Sequence, residues 1–269
     1  MKNKPADSAG IDVTLPDEAK SKSMIRVGKK ARPFLDYLLY NIEQAGYKDV
    51  IIVVGGNDPS IQKYYEKNGR QFKELRLSYA VQNIPAERTK PLGTAEALSI
   101  ALNSMPAWRS HTFTVCNSDN LYSINALSLL LEDNHANAMI DYDRAALQFD
   151  TARIEAYSVI RKNNEGYLLD ITEKPSRREI DRAKDRNGRI GVSMNIFKFS
   201  YEMILPILKI VPLHEFRQEK ELPAAVKIFN CEHPESLYVI PLAEHVIDLT
   251  SQSDIIDVRE YLEKEFPNF

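Results

Sequence analysis

Two cysteines in 269 residues, Cys116 and Cys231, are too few for a disulfide framework, and a reducing, cytoplasmic setting is the expectation. The five histidines, at 111, 135, 214, 233 and 245, show no metal-ligand spacing. Neither cysteine is placed with a histidine as a nucleophile would be, and Ser-His-Asp chemistry has no support. No apolar run approaches the length of a membrane-spanning helix, and the polar N-terminal segment lacks the apolar centre of a signal peptide. A net charge of -3 gives no electrostatic reason to expect nucleic acid or a membrane as partner.

What is present suits a packed core. Hydrophobic residues make up 43% and charged residues 27%, ordinary for a globular protein of this length. After a polar, aperiodic stretch over residues 1–21, Phe34, Leu35, Leu38, Leu39 and Ile42 have helical spacing, closed by Gly46. Residues 50–54, Val-Ile-Ile-Val-Val, form an unbroken β-branched run, the mark of a strand covered on both faces in a parallel sheet. A helix over 58–68, a strand over 75–81, a helix over 94–104, a strand over 112–116 and a helix over 124–131 continue the alternation of a doubly wound α/β core. Strands follow at 138–142, 156–161, 167–172 and 192–199, with a hairpin turn at 163–166. A helix from Ser200, two short strands within 237–248 and an amphipathic helix over 253–266 complete the chain. We read one domain over 1–269, with a core at 22–131 and a second lobe at 132–269.

The most informative stretch runs from Gln82 through Pro91-Leu92-Gly93-Thr94-Ala95-Glu96, a strand end, a basic loop and a Gly-Thr turn opening a helix. Asn117-Ser118-Asp119-Asn120 then follows a buried strand. The pair suits a site holding a nucleotide and a divalent cation at the carboxyl edge of an open sheet. A carboxylate at Asp119 is a reasonable Mg²⁺ ligand, although taken alone it reads equally well as a cap for the helix near Ser123. Asp248, at the end of another short strand, is the best second ligand; a capping role is weaker there because Ser253 is better placed. Lys22 can neutralise a phosphate from its loop, against the default of a solvated lysine. Glu173-Lys174-Pro175 follows a strand, and the proline pushes Lys174 towards an extended backbone. That turn offers Glu173 to sugar hydroxyls and Lys174 to a phosphate, or is a plain charged turn. Asn195, inside a half-buried strand, binds a polar ligand or satisfies a neighbouring backbone group.

Together these residues resemble the nucleotidyltransferase family that makes nucleoside diphosphate sugars from sugar 1-phosphates. The likeness rests on Lys22-Ser23-Met24-Ile25-Arg26-Val27, on residues 45–55, on Gln82 with Pro91-Leu92-Gly93-Thr94-Ala95-Glu96-Ala97, on residues 117–121, on Glu173-Lys174-Pro175 and on residues 219–223, which look like an element near the sugar side. The resemblance implies a Rossmann-like doubly wound mixed sheet of the GT-A-like nucleotidyltransferase type, with a sugar-binding lobe. It implies a nucleoside triphosphate and a sugar 1-phosphate as partners and Mg²⁺ as cofactor, and leaves self-association open. Asp119 and Asp248 would hold the metal, Lys22 and Asp119 would serve catalysis, and Gln82, Pro91, Gly93 and Thr94 would hold the nucleotide. Glu173, Lys174 and Asn195 would bind the sugar phosphate.

The sequence also departs from the pattern. The family opens with an apolar strand and a Gly-rich phosphate loop, which residues 1–5, Met-Lys-Asn-Lys-Pro, do not supply. The expectation is that Met1 falls just after that loop, that the first strand lies outside this sequence, that strand edges are exposed in its absence, and that activity is weak or absent while the second lobe still folds. Ser118 and Leu249 stand where relatives carry glycine, and both side chains are expected to crowd the site. Those features favour the alternative of a non-catalytic binding homologue or regulatory subunit; retention of the other site residues argues against it. A glycosyltransferase would show Asp-x-Asp, which Ser118-Asp119-Asn120 lacks, and a choline-phosphate nucleotidyltransferase would need an aromatic cage.

Overall fold

The computed structural model describes residues 21–250 and 254–269. The expected N-terminal segment before Ser21 lies outside them, as does Ser253. A ribbon of β1 (Arg26–Val27) and β2 (Arg32–Pro33) leads into α1 (Phe34–Gln44), whose Phe34, Leu35, Leu38, Leu39 and Ile42 are all buried. Gly46 takes φ 98° and turns the chain into the next strand, as its freedom at positive φ allows. There β3 (Asp49–Gly55), α2 (Ser60–Asn68) and β4 (Arg76–Gln82) form a parallel strand–helix–strand unit, paired from Asp49↔Arg76 to Gly55↔Gln82.

After α3 (Thr94–Ser104) come β5 (Thr112–Cys116), β6 (Asn120–Leu121) and α4 (Ile124–Glu132). Then follow β7 (Ala138–Asp143), α5 (Thr151–Ala156), β8 (Val159–Lys162), β9 (Leu168–Thr172), α6 (Arg177–Arg182), β10 (Gly191–Val192) and β11 (Ile196–Ser200). The chain ends through α7 (Tyr201–Ile210), α8 (Leu222–Glu232), β12 (Tyr238–Leu242), β13 (Ile247–Asp248) and α9 (Asp254–Glu265). A seven-stranded mixed sheet runs β5-β11-β7-β10-β8-β9, with β12 parallel to β7. Residue 131 is no seam in that sheet, because β5 pairs antiparallel with β11 across it.

The sheet separates two cores. Along β7, Ala138, Ile140 and Tyr142 join one, with α1 and α4, while Met139 joins the other, with α3, α7 and α8. That is the period-two alternation of a strand with both faces covered.

Among the described residues, β3 and β4 pair with each other in a ladder separate from that of β5. Two expectations need correction. The strand expected over 192–199 is broken, because Asn195 takes φ 56°, a left-handed conformation that asparagine tolerates better than most residues. Asp150 caps a helical turn over Thr151–Ala156, accepting from the Arg153 amide at 2.9 Å, so the strand expected from 156 begins only at Val159.

Candidate active site

Two strand ends bring the carboxylates together. β6 pairs antiparallel with β13, setting Asn120 opposite Asp248, and the Leu249 amide donates to the Asp119 carbonyl at 2.8 Å. Asp119 is thus locked beside Asp248. Its carboxyl is held above the usual carboxylate range, first by burial and then by the charge of Asp248, with Lys22 acting in the opposite direction. Lys22 donates from Nζ to the Thr250 carbonyl at 2.5 Å, which places a cation at the same edge. Asp119 is free of helix capping, because Ser123 does that work by accepting from the Ala126 amide at 3.0 Å.

Arg153 is the residue that the sequence did not flag. From α5 it reaches Asp248 at 2.8 Å and Asp254 at 2.6 Å, and its guanidinium stacks 4.3 Å over the Phe149 ring. Thr250 donates its hydroxyl to the other Asp248 oxygen at 2.5 Å. Nothing in the short polar segment 150–156 distinguishes Arg153; only the fold places it against β13. Tyr122 was missed too. Fully buried, it donates to the Met194 carbonyl at 2.6 Å and accepts from the Asn117 amide at 3.4 Å, tying the Asp119 loop to the turn at Asn195. Leu249 does not crowd the site as expected: only 1% exposed, its side chain belongs to the core. Ser118 is exposed at the cavity rim.

The turn from Pro91 to Thr94 is braced from two sides. Gln82, at the end of β4 and 8% exposed, donates its amide nitrogen to the Gly93 carbonyl at 3.0 Å. Gly93 itself sits at φ 104° and ψ -176°, a region open essentially to glycine alone. The segment 219–222 straps onto this turn: the Lys220 amide donates to Leu92, the Ala95 amide donates to Lys220, and the Leu222 amide donates to the Thr94 hydroxyl at 2.9 Å. Lys220 also pairs with Glu96 at 3.2 Å. This segment, expected near the sugar side, thus braces the Gly-Thr turn.

Glu173 and Lys174 follow β9, and among the described residues no hydrogen bond or ion pair joins either side chain to the protein. Lys174 takes φ 44°, not the extended backbone expected before a proline. The short link from β9 to the capping box Ser176–Glu179 reverses the chain at once, and the left-handed region accomplishes it. Lys174 and Asn195 therefore share a strained backbone, which concentrates at functional sites.

A cavity of about 650 Å³ connects these parts: Lys22, Gln82, Pro91, Thr94, Asn117, Ser118 and Asp119 line one end. Glu173, Lys174, Asn195 and Asp248 do not line it. The structure thus draws Lys22, Asp119 and Asp248 into one cluster and sets Gln82, Pro91 and Thr94 on the same cavity.

An α/β protein with a carboxylate pair and a braced Gly-Thr turn at a strand edge has the layout of a nucleotide-handling enzyme. The chain belongs to the nucleotidyl transferase family, whose model matches residues 18–244. It is 22% identical over 197 residues to the bifunctional protein GlmU of Staphylococcus epidermidis, covering 73% of this chain and 39% of that protein. A probable mannose-1-phosphate guanylyltransferase 3 of Arabidopsis thaliana is 25% identical over 209 residues, covering 69% of this chain and 58% of that one. The chain therefore spans well under two thirds of the length of these relatives. Among solved structures, a UDP-glucose pyrophosphorylase complexed with UDP-glucose superposes with TM-score 0.65 at 17% identity over 90% of each chain. HddC from Yersinia pseudotuberculosis superposes with TM-score 0.61 at 16% identity, over 90% of this chain and 89% of its own. These likenesses establish the fold, a mixed α/β architecture of the GT-A-like nucleotidyltransferase type. No helix among the described residues is long and apolar enough to cross a membrane.

Proposed function

We propose that this chain transfers a nucleotidyl group from a nucleoside triphosphate to a sugar 1-phosphate, releasing pyrophosphate. The observation that carries the reading is the convergence of Lys22, Asp119 and Asp248 beside the braced turn of Gln82 and Gly93. A phosphate oxygen of the sugar 1-phosphate attacks the α-phosphorus, a new P–O bond forms, and the bond to the bridging oxygen of pyrophosphate breaks. The attacking oxygen is already ionised near neutral pH, so no general base is required and positioning with charge neutralisation remains. Gln82 and the backbone of the Pro91–Thr94 turn would receive the base. Lys22 would neutralise the triphosphate, and Glu173, Lys174 and Asn195 would hold the sugar phosphate.

The carboxylate pair fits Mg²⁺. Asp119 carries a raised pKa, first through burial and then through the charge of the Asp248 carboxylate, and a divalent cation would relieve that repulsion. Among the described residues no third His, Cys, Asp or Glu joins the two, which suits an ion that takes one or two carboxylates and fills its shell with phosphate oxygens and water. Bound there, Mg²⁺ would supply charge neutralisation at the phosphates. The rest falls to the chain: Lys22 neutralises charge, Arg153 and Thr250 orient Asp248, and Ser123 leaves Asp119 uncommitted to the helix.

A specific observation favours a second reading, a binding homologue without turnover: the Arg153 guanidinium already occupies the Asp248 carboxylate. Melting curves with Mg²⁺ and each triphosphate, alone and with a panel of sugar 1-phosphates, combined with pyrophosphate release, separate the two. A rise with one triphosphate plus pyrophosphate release that Asp119→Asn lowers about 10²–10³-fold supports the enzyme. A rise without pyrophosphate release supports the binder, and no rise with any ligand refutes both.

A further inference from the structure

Each oxygen of Asp248 is met by one side-chain donor, Arg153 Nη2 at 2.8 Å and the Thr250 hydroxyl at 2.5 Å. A single residue holds both donors from behind: Asp254, the first of α9. Its Oδ1 accepts from Arg153 Nη1 at 2.6 Å, and its Oδ2 accepts from the Thr250 amide at 2.9 Å. The group is largely shut away from water, with side-chain exposures of 9% at Asp254, 11% at Asp248 and 23% at Arg153. Arg153 is fixed further by its Nε, which donates to the Tyr157 hydroxyl at 3.1 Å, and by the Phe149 ring against its plane. An arginine facing a lone carboxylate favours two parallel bonds, one to each oxygen. A metal approaching Asp248 would then have to break a desolvated, charge-assisted pair. Asp254 takes one arm of the fork for itself, so Arg153 reaches a single side-chain oxygen of Asp248.

We infer that Asp254 is a positioning residue for the cation site: by dividing the Arg153 fork and fixing Thr250, it keeps the Asp248 carboxylate open to a divalent ion. This rests on the reading of Asp119 and Asp248 as metal ligands. The closing helix α9 thereby sets the site as well as packing against the core, because its first residue carries the carboxylate that both donors share. A plainer role exists for an acidic residue in the first turn of a helix, where it complements the helix dipole. The two roles part when Arg153 is removed: help to the helix persists, whereas control of the fork has nothing left to act on.

The test measures binding of Mn²⁺ to the full 269-residue chain without nucleotide. Mn²⁺ shares the oxygen preference of Mg²⁺, and its free form is read by electron paramagnetic resonance. Asp254→Asn keeps an oxygen for the Thr250 amide but gives up the charge that holds Arg153. It is expected to weaken Mn²⁺ binding about 10–100-fold while the protein still melts cooperatively. In an Arg153→Met background the same substitution is expected to change binding by less than about twofold, because the fork it would release is absent. Equal weakening in both backgrounds, as loss of a helix contact or of a nearby negative charge would give, overturns the inference, and so does unchanged binding in Asp254→Asn. If Asp254→Asn fails to fold, Asp254→Ser is compared in the same two backgrounds and judged the same way. Asp119→Asn separates this inference from the reading beneath it. Intact Mn²⁺ binding in Asp119→Asn, or none in the unaltered chain, removes the metal site and the role of Asp254 together. Weakening by Asp119→Asn with none by Asp254→Asn leaves the metal site standing and removes only the role of Asp254.

Discussion

Replacing Gly93 with alanine puts a methyl group 2.6 Å from the Lys220 carbonyl oxygen, 3.0 Å from the Lys220 amide and 3.0 Å from Glu219 Cβ. Two of these neighbours are backbone in the strap that holds the turn, so they move only by releasing it. The backbone conformation, φ 104° and ψ -176°, is also closed to alanine. The conformational strain costs about 1–3 kcal/mol and the overpacking about 1–3 kcal/mol more, so Gly93→Ala is expected to lose about 2–6 kcal/mol. That is a large share of a domain stability of about 5–15 kcal/mol. Gly188→Ala separates the terms: Gly188 also has positive φ, 79°, but its added methyl meets nothing within 4 Å, so only a left-handed cost of about 1–2 kcal/mol applies. Urea unfolding of both variants, read as midpoint shifts at constant slope, measures the difference. Nucleotide-induced melting shifts in Gly93→Ala should shrink as well, because Gln82 loses its fixed partner at the Gly93 carbonyl. Equal stability losses in the two variants would refute the steric argument, and an unchanged nucleotide shift would refute the role of the turn.

Arg153→Met is expected to cost about 2–3 kcal/mol, less than the roughly 3–5 of a fully buried pair because Arg153 keeps contact with water. Adding Mg²⁺ should restore more melting temperature to this variant than to the unaltered chain, since a cation then returns to Asp248. Tyr122→Phe removes the donor to the Met194 carbonyl and should cost about 1–2 kcal/mol by thermal melting. It should also lower turnover, by loosening the loop that carries Asp119. His245 has its pKa lowered, first by burial and then by Arg153, and its Nδ1 accepts from the Gln148 amide at 3.2 Å. The folded state therefore binds this proton less readily than the unfolded chain, so stability holds above the ordinary histidine value of about 6.5 and falls as the pH drops below it. His245→Phe should flatten that part of the stability–pH profile, and an unchanged slope would show that other groups set it.

Much of the fold was legible because local patterns reported local physics. The spacing of Phe34, Leu38 and Ile42 specified α1, and the β-branched run at 50–54 specified β3. Gly93 before Thr94 marked the start of α3, where the structure needs a conformation that only glycine adopts readily. Local signals misled where a tertiary demand overrode them. The apolar run at 192–199 reads as one strand, yet it breaks at Asn195, the position whose Met194 and Ser193 neighbours serve Tyr122 and the Asn195 amide. Proline at 175 predicted an extended Lys174, but the return from β9 to α6 required a left-handed residue there.

By itself, the sequence determined most element types, the apolar faces and the residue chemistry offered for the candidate site: two aspartates, two lysines, a glutamine and a glycine turn. Each follows from side chains and their near neighbours along the chain. Only the tertiary structure decided that β6 and β13 pair so as to set Asp119 beside Asp248, that Arg153 already neutralises one of them, and that the strap at 219–222 braces the Gly93 turn. Strand registers and ion pairs between residues far apart in the chain depend on which loops close onto which edges, and no local pattern of propensity or hydrophobicity encodes that choice.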